Sequence, residues 1–188
     1  MLLPHSETPA RKSVNAFHRE FLKGRLWIEL YSQASLEQLR EIYRGHEDQA
    51  GSVARSLLAS QPRSPGPTEV GTKEAMNQRD QLLKDLLQWM ESTPIIIAPV
   101  GSIPAFEHGD RRVLVKGETI SVFRAFSYSQ TYNVFDLPVV TVPVTQTVEG
   151  LPLGVQIIGR PHQEELVLKV AAMVESEFGG WRPVPEMF

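Results

Sequence analysis

The chain has 188 residues, of which 41% are hydrophobic and 22% charged, and its net charge is −3. This composition is that of an ordinary globular protein, and the length allows one domain with a substantial core. No concentrated basic segment supports nucleic-acid binding. The chain has no cysteine, which excludes disulfides, thiolate nucleophiles and sulfur-ligated zinc.

The N-terminus, MLLPHSETPARK, lacks the basic start and apolar stretch of a secretory signal. No apolar run approaches the roughly 20 residues that a membrane span requires. We therefore expect a cytoplasmic protein with no membrane contact.

The first third of the chain predicts helices. Residues 12–31 place apolar positions at loosely helical spacing, and a second helix is expected from Ser35, as its N-cap, to Tyr43. The apolar stripe resumes over 53–58. Three prolines and two glycines within residues 61–71 predict a linker or surface loop.

The rest of the chain alternates helices with strands. Three nearly unbroken apolar runs predict strands that are covered on both faces, and the short loop 146–150 predicts that the last two are antiparallel. Together the elements predict an α/β fold with helices flanking a mixed sheet. The expected elements are a helix over 73–91 capped by Thr72, a strand over 95–100, a small hairpin around Val113–Lys116, a helix over 119–132, strands over 139–144 and 153–158, and a helix over 163–178 that Gly179 ends.

Three segments carry a family resemblance: PIIIAPVGSIPAFEHGD (94–110), FSYSQTYNVFDLPVVTVPV (126–144) and EGLPLGVQIIGRPHQEELVLKVAAMVE (149–175). In this order they resemble the C-terminal end of the amidase signature family, serine hydrolases that cut carboxamide bonds. The resemblance covers about residues 70–188. It implies a single partial amidase domain over 1–188, with a variable helical region at 1–66 and the core segment at 67–188.

The resemblance implies amide hydrolysis without a metal or organic cofactor. The family's nucleophilic serine, relay serine and lysine lie in a glycine/serine-rich N-terminal half that has no counterpart in this sequence, and no GxSxG or Ser-x-x-Lys spacing replaces them. We therefore expect no catalytic residue and no metal ligand in this chain. Its lysines and histidines have contexts typical of solvated side chains; they are Lys12, Lys23, Lys73, Lys84, Lys116, Lys169, His5, His18, His46, His108 and His162.

Several other positions carry structural predictions. Gln156, inside an apolar strand, must find a hydrogen bond if it is buried, and we expect it to tie its strand to a neighbouring segment rather than border a substrate pocket. Gly154 indicates close approach of another backbone. Asp136 and Val139 stand where the resembled family has glycine and a small residue, so a positive φ at Asp136 would strain the backbone.

Ser127 and Ser129 flank Tyr128 on a predicted helix. They could line a cleft, but local hydrogen bonds to the backbone are the more common role of serine in a helix.

Two functional hypotheses follow. In the first, the chain is the C-terminal portion of an amidase-family hydrolase that completes the sheet and the cleft for a small-molecule amide when an N-terminal half joins it. In the second, it is an inactive amidase-like remnant that forms homo-oligomers or binds other proteins, since open sheet edges favour self-association. A nucleic-acid binder built on residues 12–66 is disfavoured because the charges there are balanced.

Overall fold

The computed structural model describes residues 26–59 and 69–180. The chain divides into two compact units, Met1–Lys84 and Asp85–Phe188. None of the described helices has both the length and the apolar character that crossing a membrane requires.

The described part of the first unit is helical. The π-helix Ile28–Ser32 leads directly into α1 (Gln33–Ile42), and α1 contacts α2 (Ser52–Leu58). The predicted helix over 12–31 is described only from residue 26 onward. The predicted linker is described only from residue 69, and its described part, 69–71, is helical instead. The elements are the π-helix Ile28–Ser32, α1 Gln33–Ile42, a 3₁₀ turn Glu47–Gln49, α2 Ser52–Leu58, and α3 Glu69–Trp89, which continues into the second unit.

Both predicted N-caps are wrong. Ser35 lies inside α1 because the preceding π-helical turn runs into that helix without a break. Thr72 lies inside α3, which includes Glu69. A capping residue must stand outside the helix with non-helical φ and ψ, so neither side chain can fill that role.

The second unit is built on a three-stranded antiparallel sheet, in the order β1 (Ile96–Pro99), β5 (Pro152–Ile158) and β4 (Val139–Gln146). Helix α6 (Glu164–Phe178) packs on β4 and β5. The core between them consists of Val142, Ile157, Val167 and Ala171. The bounds are β1 Ile96–Pro99, β2 Arg112–Val115, β3 Glu118–Ser121, α4 Val122–Ala125, α5 Ser127–Val134, β4 Val139–Gln146, β5 Pro152–Ile158 and α6 Glu164–Phe178.

The α/β class is confirmed. The sheet was expected to be mixed, whereas each strand pair among the described residues is antiparallel. Cover on both faces holds for the central strand β5, where Ile157 and Ile158 are fully buried. It is wrong for both edge strands, because β1 alternates between buried and exposed residues and β4 has only Val142 buried. On β1 the reason is that α6 lies over β4 and β5.

The predicted hairpin exists and is longer than expected, because β2 and β3 pair from Arg112 to Ser121. Lys116 and Gly117 form its two-residue loop with φ of 50° and 84°, the positive values that a type I′ turn requires. The predicted helix over 119–132 is therefore wrong at its start. Helix α4 begins only after Ser121, whose hydroxyl accepts a hydrogen bond from the Arg124 N–H at 3.2 Å.

The last three predicted elements are confirmed with small shifts of their bounds. The loop between β4 and β5 closes with a hydrogen bond from the Thr147 N–H to the Leu151 carbonyl at 2.8 Å. Gly179 ends α6 in the left-handed conformation, with φ of 82°, where glycine is favoured because it has no Cβ.

Candidate functional site

The segments that carry the family resemblance lie in the second unit. They include β1 and the loop after it, helix α5, and the β4–β5 hairpin. Three local arrangements fix these segments in place: a helix stop before β4, a buried glutamine on β5, and a loop held against the junction of α4 and α5.

The helix stop joins α5 to β4. The Leu137 N–H bonds to the Tyr132 carbonyl at 3.4 Å, and the Asp136 N–H bonds to the Asn133 carbonyl at 3.3 Å. These two bonds are those of a Schellman motif with Asp136 at C′, the position that needs a left-handed backbone. Asp136 has φ of 52°. The condition under which strain was expected at Asp136, a positive φ, is therefore met, and a glycine in the resembled family has a physical reason here.

Tyr132 lies at the same helix stop and is 4% exposed. Loss of hydration on burial, with a smaller contribution from Tyr128, raises the pKa of the Tyr132 phenol to about 12. The phenol thus stays neutral at physiological pH. Sequence reasoning missed this residue, because the apolar stripe that predicted the helix consisted of Ile120, Phe123 and Phe126.

Gln156 is 3% exposed, and its Nε2 donates to the Pro99 carbonyl at 2.8 Å. The side chain therefore ties β5 to the end of β1, as the structural prediction expected. The bond fixes the point at which the chain leaves β1 for the loop that follows.

Gly101 and Ser102 hold the loop after β1 against the end of α4 and Phe126, which joins α4 to α5. The Ser102 N–H donates to the Ala125 carbonyl at 2.7 Å. A Cβ on Gly101 would lie 2.7 Å from the Phe126 ring, so any larger residue would require that half-buried ring to move. The Phe106 ring lies beside the same Phe126 ring, with the two ring centroids 6.0 Å apart. The sequence signal for this contact was a glycine directly after a strand in an apolar run, and sequence reasoning did not use it.

Gly154 lies close to the neighbouring strand, as predicted, because a Cβ there would lie 3.1 Å from the Val142 carbonyl oxygen.

Ser129 makes the predicted local hydrogen bond, from its hydroxyl to the Phe126 carbonyl at 2.8 Å. Ser127 is buried, and its carbonyl accepts from the Thr131 hydroxyl at 3.2 Å. Val139, at the start of β4, is 38% exposed.

The basic side chains considered as catalytic candidates lie on the surface. Lys169 pairs with Glu165 at 2.7 Å. Within residues 26–59 and 69–180, no group of three or more His, Asp and Glu side chains is placed to hold a metal ion. The exposed candidates are Lys73, Lys84, Lys116, Lys169, His46, His108 and His162, while Lys12, Lys23, His5 and His18 lie outside the described residues.

Taken together, these arrangements position the backbone of the segments that carry the resemblance. A buried amide, a glycine-dependent ring contact and a helix stop all fix main-chain geometry at the sheet. Each acts by holding the chain in place, and none of these contacts transfers a proton or forms a covalent bond.

Comparison with known proteins agrees with this arrangement. Residues 26–168 match the sequence profile of the family described as Amidase. A glutamyl-tRNA(Gln) amidotransferase subunit from Acidobacterium capsulatum is 34% identical over 122 residues, 65% of this chain and 25% of that protein. The fatty-acid amide hydrolase 2-A of Danio rerio is 32% identical over 109 residues, 57% of this chain and 19% of that protein.

The fold is also that of solved amidases. A crystal structure of an amidase superimposes with a TM-score of 0.64 at 22% identity, over 77% of this chain and 32% of its own. The chain spans about a quarter of the length of the Acidobacterium capsulatum relative. Because the family profile matches most of the 188 residues, the chain belongs to the amidase family.

Proposed function

We propose that this chain is the C-terminal portion of an amide carbon–nitrogen hydrolase. In this proposal it completes the central sheet and shapes one side of the substrate cleft, and the serine nucleophile and its lysine relay come from polypeptide outside Met1–Phe188. The observation that carries the proposal is the match of residues 26–168 to the amidase family, in a sequence that contains no glycine/serine-rich loop.

Two features support it. The described residues fix backbone at the sheet through Gln156, Gly101 and the helix stop at Asp136. The Acidobacterium capsulatum relative has about three-quarters of its length outside its match to this chain, which is room for the missing chemistry. We propose a small-molecule amide as the substrate class, no cofactor, and the cytoplasm as the location.

The test is reconstitution. We would produce the part of the Acidobacterium capsulatum relative that lies N-terminal to its match with this chain, here named the N-terminal probe, and mix it with the purified chain. Ammonia release from simple carboxamides is the measurement. We expect none from the chain alone and turnover from the mixture, and turnover should disappear when the probe's catalytic serine is changed to alanine.

The positive control is the same relative divided at the same point, with its own C-terminal part in place of this chain. If the relative's two parts regain activity and the mixture with this chain does not, the proposal is wrong. Turnover by the purified chain alone would contradict the external origin of the nucleophile.

The open edges of the described sheet support the second hypothesis, in which the chain is an inactive oligomerising remnant. Analytical ultracentrifugation over a hundredfold range of concentration separates the two. The remnant hypothesis expects a concentration-dependent oligomer that the N-terminal probe does not alter.

A further inference from the structure

The β1 edge of the three-stranded sheet exposes apolar surface. Among the described strands, β1 pairs with β5 alone. Ile97, in the middle of β1, is 56% exposed. No charged residue occurs between Glu91 and Glu107, although charged side chains are a common means of protecting an edge strand from further pairing.

The strand register shows how far α6 covers the apolar face of the sheet. Ile97 lies directly opposite Ile157 on the same face of the sheet, yet Ile157 is fully buried. The difference arises because Ile157 packs in the core against α6, on β4 and β5. The apolar face therefore continues one strand beyond its helical cover.

The opposite edge is less suited to receive a strand. β4 contains Pro143, which has no N–H to donate, and the register with β5 shifts between Pro143 and Thr145. A proline and an irregular register both interrupt the regular hydrogen bonding that an added strand needs. β1 instead keeps an uninterrupted register with β5 from Ile96 to Pro99, with its proline at the last position.

We propose that the β1 edge is the docking site for a strand from the remainder of the amidase polypeptide, with an apolar side chain of that strand covering Ile97. The inference rests on the proposed function and names the contact through which the two portions join. The occupant follows from length, because about two-thirds of the superimposed amidase structure has no counterpart in this chain. Such a strand would extend the sheet by main-chain hydrogen bonds, as in other cases of strand addition.

The test measures binding and activity separately. Hydrogen–deuterium exchange of the Ile96, Ile97 and Ala98 amides is followed in the full chain with and without the N-terminal probe. Because alternate N–H groups of an edge strand already face its partner, we expect at least tenfold slower exchange on binding at those of these amides that point away from β5. Ile97→Lys should weaken binding at least tenfold, whereas the matched control Leu168→Lys, at a residue 58% exposed on α6, should change it less than twofold.

Each other outcome contradicts the inference. Slowed exchange confined to β4, unchanged binding by Ile97→Lys, or protection of β1 by self-association without the probe would each overturn it, as would absent binding when the relative's own parts reassemble. The proposed function is judged by ammonia release. Turnover without β1 protection refutes only this inference, and β1 protection without turnover refutes only the proposed function.

Discussion

Asp136 adopts a backbone conformation that is unfavourable for most residues, because the helix stop around it requires that conformation. The two hydrogen bonds of the Schellman motif require a left-handed backbone at C′, and Asp136 adopts it with φ of 52°. Aspartate tolerates this conformation better than a β-branched residue does, because its short polar side chain can bond locally. The helix stop before β4 therefore depends on which side chain occupies position 136.

Replacing Asp136 by valine should lower the free energy of unfolding by about 1–2 kcal/mol, because a β-branched side chain is strained at positive φ. Asp136→Asn should change it by less than about 0.5 kcal/mol, since asparagine also tolerates this region. Urea unfolding followed by circular dichroism checks both. Asp110→Val is the control, at an exposed residue without a positive φ, and an equal loss there would remove the backbone explanation.

Gly159 is required for close packing. Its buried backbone lies so near Val167 that an added Cβ would overlap a methyl group of that side chain. Val167 is itself fully buried, so it has little room to move. We expect Gly159→Ala to destabilise the protein by about 1–3 kcal/mol, the usual cost of overpacking a core.

A double-mutant cycle checks the steric origin of this effect. Val167→Ala removes the methyl groups, so the double variant should be more stable than the sum of the two single losses predicts. Thermal or urea unfolding supplies the four values. Strict additivity would mean that Gly159 acts through something other than its contact with Val167.

Tyr132 should make stability depend on pH in the alkaline range. Its pKa is raised from 10.0 to about 12 by burial, so the unfolded chain loses this proton first. Stability from this group is complete below pH 10 and is lost as the pH rises towards 12, by up to about 3 kcal/mol. Absorbance titration at the phenolate band should detect one tyrosine that ionises late while the fold persists. Tyr132→Phe should lack this part of the decline, and an identical pH profile would refute the assignment.

At the scale of elements, hydrogen bonds between strands and loops set the geometry of the sheet ends. The Gln156 side chain contributes to the β1–β5 pair a bond that the ladder itself does not supply. A buried carbonyl that loses such a donor costs free energy, since water cannot replace it.

Gln156→Met keeps the size of the side chain and removes the donor to the Pro99 carbonyl. We expect a loss of about 1–2 kcal/mol in unfolding free energy, measured by chemical denaturation. Gln146→Met, at an exposed position on β4, is the matched control and should stay within about 0.5 kcal/mol. If both variants lose the same amount, the buried hydrogen bond is not the cause.

At the scale of the whole molecule, the three-stranded sheet of the second unit resembles part of a larger sheet. Its central strand is buried on both faces near Ile157 and Ile158, while its edge strands keep exposed apolar positions at Ile97 and Val139. An edge strand that exposes apolar side chains is a site for further pairing. The division of burial therefore agrees with a chain that spans about a third of the superimposed amidase structure.

The sequence by itself determined the α/β class, the β4–β5 hairpin, the final helix and the family, because each follows from local periodicity, turn residues or motif order. It also identified Gln156 and Gly154 correctly, since a polar residue or a glycine in an apolar strand has few explanations. Tertiary structure decided the rest. Whether Ile97 is covered depends on where α6 lies, and whether Ser35 caps a helix depends on the turn before it. The contact between Gly101 and Phe126 joins residues 25 positions apart in the sequence, a pairing that local pattern cannot specify because it arises only when the chain folds back on itself.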